Sequence, residues 1–103
     1  MTQYRQGDVF IERIAVMPQG TRRIAPISGK LVLAEGEATG HAHTIEADYG
    51  TLVEKNGVLY LQVKEAAPLT HQEHATVTLP KGKYRVTRQR EWSDANEPRR
   101  VLD

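Results

Sequence analysis

Four histidines occur in 103 residues, and they fall as two close pairs, His41-Ala42-His43 and His71-Gln72-Glu73-His74. Neutral imidazole is the commonest protein ligand for divalent transition metals, so paired histidines are the first place to look for chemistry. On a strand, residues i and i+2 project to the same side about 7 Å apart, which lets His41 and His43 aim at one point. Ile45 shares their face and turns it toward an interior, where an imidazole needs a metal or a hydrogen-bonding partner. The second pair has a different spacing. An i, i+3 relation on a regular strand sends two side chains to opposite faces, so His71 and His74 converge only across a turn or bulge. With Ala75, Val77 and Leu79 as the buried series, His74 joins Thr76 and Thr78 on the other face, and His71 is the better ligand of the two. Glu73 has the parity of His71 and offers an oxygen ligand or a general base.

The expectation is therefore a centre for one divalent transition metal (Zn, Ni, Fe, Mn or Cu), with His41 and His43 at its heart. His71 or His74 joins them, with Glu46 or Glu73 in support. Such an ion acts as a Lewis acid or activates a bound water when a coordination position stays open. The competing expectation is four ordinary histidines, hydrogen-bonded or solvated.

Strands have to position these rings, because helical periodicity is nearly absent and turn signals are frequent. Asn56-Gly57 stands between the β-prone runs 51–54 and 58–63, the strongest short-range hairpin signal available. A second hairpin is expected at Pro80-Lys81-Gly82, between 75–79 and 83–88. Further strands are expected at Asp8–Ile14, Lys30–Ala34 and His41–Glu46, punctuated by Gly7, Gly20, Gly29, Gly36, Gly40 and Gly50. The stretch 16–28 reads as a long surface loop. Residues 93–103 read as an irregular tail or a short helix capped by Ser93 and cut by Pro98. The length accommodates one domain, 1–103, and the pattern indicates an all-β antiparallel roll, sandwich or small cupin-like barrel.

Gly36-Glu37-Ala38-Thr39-Gly40-His41-Ala42-His43-Thr44-Ile45-Glu46, followed by Gly50, resembles the first motif of the cupins in order. That resemblance implies a small double-stranded β-barrel with His41, His43 and Glu46 as metal ligands. The gaps before the histidines and before Glu46 are shorter than in the cupin pattern, and Glu46 has the opposite strand parity to His43. Pro80-Lys81-Gly82 leads to Tyr84 and Arg85 where the second cupin motif has a histidine. The chain is also similar to a group of small uncharacterised bacterial proteins, through 36–43, 71–74 and Arg88-Gln89-Arg90-Glu91; that likeness implies no function.

Other chemistry has less to build on. There is no cysteine, and the two serines, Ser28 and Ser93, sit in turn-like contexts without a nucleophile elbow. No glycine-rich loop opens a helix to cradle phosphate. No apolar window approaches the ~18 residues of a membrane span, and the N-terminus lacks a signal peptide's apolar stretch. Cytoplasmic location is therefore expected.

The net charge of +1 conceals segregation: residues 1–30 carry five basic and two acidic groups, 31–79 two and seven, and 80–100 seven and three. Opposite charges of this kind pair within a fold, meet across a homo-oligomer contact, or present a basic face to a polyanion. A non-enzymatic self-assembling module is accordingly the second functional expectation. The third is single-stranded nucleic-acid binding, because Tyr84, Val86, Arg88, Arg90 and Trp92 share one strand face. Arg85, Arg88 and Arg90 are alternatively expected to blunt an exposed sheet edge.

Overall fold

The computed structural model describes residues 2–36 and 40–89. The expected tail at 93–103, together with Arg90 and Trp92, lies outside the described residues. Among the described residues ten strands follow one another: β1 Gln3–Gln6, β2 Val9–Ile14, β3 Arg22–Ile24, β4 Lys30–Glu35, β5 Ala42–Glu46, β6 Gly50–Lys55, β7 Val58–Val63, β8 Ala67–Leu69, β9 Val77–Leu79 and β10 Gly82–Arg88. All pairings are antiparallel. Six strands form one sheet in the order β1-β2-β10-β7-β6-β3, while β4-β5 and β8-β9 form two ribbons. A single bridge between Thr44 and Thr70 links the ribbons. Among the described residues the sheets stay open, giving a sandwich or roll and no closed barrel.

Alternation builds the core. Val9 and Ile11 of β2, Leu52 of β6, Leu61 and Val63 of β7, and Tyr84 and Val86 of β10 point inward from the large sheet. Leu31 and Leu33 of β4, Ile45 of β5, and Leu69 and Leu79 of the second ribbon close over them. Each fully buried aliphatic side chain contributes about 1.5–3 kcal/mol relative to exposure, so this one cluster holds the layers together. Between Val32 and Ala34 the β4-β5 register slips, and both Leu33 and Ala34 are buried. That bulge turns two successive side chains inward, with Ala34 opposite His43.

The β6-β7 hairpin turns at Asn56-Gly57 as expected, with φ of 53° and 81°. Positive φ at both positions twists the turn with its strands. Gly50, at the start of β6, is needed for space. A Cβ there would stand 2.4 Å from the Gln62 carbonyl oxygen of β7.

Three expectations are corrected. Pro80-Lys81-Gly82 closes no hairpin: β9 pairs with β8, and β10 lies between β2 and β7. The chain changes layers here, with the Tyr84 hydroxyl donating to the Pro80 carbonyl (2.6 Å) and Arg13 to the Lys81 carbonyl (2.7 Å). Nor does β10 form an edge for arginines to protect. Arg85 and Arg88 instead pair with Glu12 and Asp8. Finally, the stretch 16–28 is not all loop, since Arg22–Ile24 pairs with β6. The segregated charges are partly matched within the fold, through Arg22–Glu54, Arg85–Glu12 and Arg88–Asp8.

Candidate functional site

The Thr44–Thr70 bridge brings the two histidine pairs together. Thr44 N–H donates to the Thr70 carbonyl (3.0 Å) and Thr70 N–H to the Thr44 carbonyl (2.9 Å). Carried one residue outward, that antiparallel register sets His43 opposite His71, then Ala42 opposite Gln72, then His41 opposite Glu73. Contacts are present at each step. The His43 and His71 ring centres are 4.3 Å apart, Ala42 N–H donates to Gln72 Oε1 (2.9 Å), and His41 Nε2 lies 3.7 Å from Glu73 Oε2. Residues 71–74 form no strand, and this irregular path folds His74 back to 4.4 Å from His71 and 5.9 Å from His43. His41 stands 5.6 Å from His71. All four imidazoles thus form one cluster with His71 at its hub.

His43 is the fixed member. It is fully buried, and among the described residues the only other buried polar side chains are Gln6 and Asp8. All three meet. The Gln6 amide nitrogen donates to the carbonyls of Leu69 and Ala75, both at 2.9 Å, which turns its Oε1 toward His43 Nδ1, also at 2.9 Å. An amide oxygen only accepts, so the proton of neutral His43 sits on Nδ1 and the lone pair on Nε2. Nε2 faces Asp8 Oδ1 at 3.8 Å, longer than a hydrogen bond, while Asp8 Oδ2 receives Nη2 and Nε of Arg88 at 3.1 and 3.3 Å. His71 has the opposite tautomer. The Glu73 backbone N–H donates to its Nδ1 (3.0 Å), so neutral His71 carries its proton on Nε2.

Of the residues expected at the site, His41, His43, His71 and His74 come together, and Glu73 stands at the solvent edge, 63% exposed. Glu46 does not join them: it is exposed at the far end of β5, opposite Lys30 and on the other strand face from His43. Among the described residues, no three His, Asp or Glu side chains are already disposed to hold a metal ion. Gln6 and Asp8 belong to the site but gave no signal in the sequence, since a short polar turn between two strands ordinarily faces water. The face of β10 expected to stack bases points inward: Tyr84 is wholly buried and Arg88 is engaged by Asp8. Burial also raises the Tyr84 phenol above its ordinary pKa of 10.0, with nearby Arg13 opposing the shift.

Fold and site together define an open antiparallel β sandwich or roll whose buried polar side chains converge on a histidine cluster. Residues 5–89 match the family described as domain of unknown function DUF8820, and the chain belongs to that family. The match spans both histidine pairs together with Gln6, Asp8 and Arg88. No curated protein and no solved structure matches the chain, and nothing among these comparisons shows the cupin resemblance expected from the Gly36–Glu46 motif. No helix among the described residues is long and apolar enough to cross a membrane.

Proposed function

We propose that this domain binds a divalent transition metal through His43, His71 and His74, with His41 beside them and Glu73 at the entrance. The observation that carries the reading is the gathering of four imidazoles from two distant segments around a tautomer-fixed His43. Two imidazoles bonded to one ion at about 2.0–2.1 Å have ring centres roughly 5 Å apart, and the rings of His43, His71 and His74 lie 4.3 to 5.9 Å apart. His43 also has the outer partner typical of a metal-binding imidazole, an Nδ1–H held by an oxygen acceptor. His71 is the residue that must adjust. Its ring flips, or its bond from Glu73 N–H breaks, before Nε2 can coordinate. Binding is therefore a local rearrangement of 71–74 onto a rigid His43.

The test is zinc and nickel titration of chelator-treated protein by calorimetry, with elemental analysis of the purified chain. One equivalent bound, lost in His43→Ala and in His74→Ala, supports the reading. Sub-stoichiometric metal and no titration heat overturn it.

A further inference from the structure

The large sheet has a second face, opposite the core and remote from the histidines, whose composition is unlike that of the whole chain. Strand parity and register place Arg5, Arg23, Lys55, Lys83 and Arg85 on it, against the single carboxylate of Glu12. A chain of formal charge +1 thus carries five of its cations and one of its acids on one sheet face. Two aromatic rings lie on the same face. Phe10 of β2 has the Arg5 guanidinium 5.1 Å from its ring centre, and Tyr60 of β7 is in register with Arg85, which is in register with Glu12 on the other side. Phe10 and Tyr60 are separated by β10 and offset by two residues, about 12 Å by strand spacing and rise. Arg85, its side chain 44% exposed, lies on β10 between the two strands and pairs its guanidinium with Glu12. Beside Phe10 a cavity of about 370 Å³ is lined by Gln3, Phe10, Glu12, Arg85, Thr87 and Gln89.

From this arrangement we infer that the outer face of the six-stranded sheet binds single-stranded nucleic acid, with Phe10 and Tyr60 stacking bases and the surrounding cations contacting phosphates. Half-buried aromatics on strands offer π-faces that accept any base, and a planar guanidinium between them extends the stack. An acidic protein or a lipid surface would use the charge but not the aromatic spacing. The site is independent of the histidine cluster and differs from the Tyr84–Trp92 face suggested by sequence parity.

The experiment is fluorescence anisotropy of a labelled twelve-nucleotide oligo(dT) with the full chain at 50 and 200 mM salt. Heparin and phosphatidylserine vesicles serve as alternative polyanions. Neutralising four phosphates on a single strand predicts an affinity loss of roughly fiftyfold across that salt range. Phe10→Leu and Tyr60→Leu, which keep apolar bulk on the strand, should each weaken binding about fivefold or more. The double variant Lys83→Gln/Arg85→Gln should flatten the salt slope. No binding at 50 mM salt overturns the inference. So does binding unchanged by these variants, or tighter binding to vesicles or heparin than to the oligonucleotide.

Discussion

His43 and His74 belong to one cluster but are held in opposite ways. His43 lies on a paired strand, fully buried, its ring orientation set by a glutamine that is itself anchored on two carbonyls. His74 lies on a segment with no strand structure, brought in by the backbone path of 71–74. The comparison separates two jobs that a binding site needs. One imidazole serves as a fixed reference, and the others adapt to what arrives. It also says that loss of the first should damage the fold and the site together, whereas loss of the second should damage the site alone.

The severest break of this contrast is His43→Ala, which leaves a cavity and an orphaned Gln6 oxygen. It should cost about 3 kcal/mol in urea unfolding and abolish metal binding. Next comes Gln6→Leu, which strips two carbonyls and the His43 ring of their partner. It should destabilise the domain by about 1–3 kcal/mol and weaken metal affinity about 10–100-fold in calorimetric titration. Tyr84→Phe lies on β10, outside the histidine cluster, and serves as the outside reference. It should cost about 1 kcal/mol at neutral pH, through loss of the bond to Pro80. Its pH dependence is also fixed in sign. Because the folded phenol pKa lies above the unfolded value, the unfolded chain releases its proton first as pH rises past 10.0. Tyr84's contribution is thus complete below that pH and is lost as pH climbs toward the folded value, and urea unfolding of Tyr84→Phe should show a shallower alkaline decline. His74→Ala should have the smallest effect on stability, within about 0.5 kcal/mol, while still removing bound metal. Equal destabilisation by His43→Ala and His74→Ala would erase the distinction between anchor and adapter.

Much of this was legible in the residues themselves. Asn56-Gly57 specified a hairpin because few residues tolerate positive φ at two successive positions, and β-prone runs between turn signals located β2, β4, β5, β7 and β10. The inward aim of His43 followed from its shared face with Ile45. What local pattern did not disclose was pairing at long range. Pro80-Lys81-Gly82 has the chemistry of a tight turn, but the strand after it pairs with β2 and β7 while β9 pairs with β8, so the chain crosses layers there. Period-two parity put Tyr84 and Arg88 on one face of β10 without saying which face looked out. Gln6 and Asp8 escaped notice because their side-chain hydrogen-bond partners lie 37 to 80 residues away along the chain. The convergence of the histidines depends on the Thr44–Thr70 register, which neither segment encodes alone.

Among the described residues that register is set by two backbone hydrogen bonds, with the Ala42–Gln72 and Thr70 hydroxyl bonds beside them, a clasp between ribbons that otherwise have separate ladders. Opening the clasp would carry the 71–74 segment away from β5 while leaving the six-stranded sheet intact. The amide protons of Thr44 and Thr70 should therefore exchange with deuterium as a pair, and a bound ion spanning His43 and His71 should slow both by the same factor.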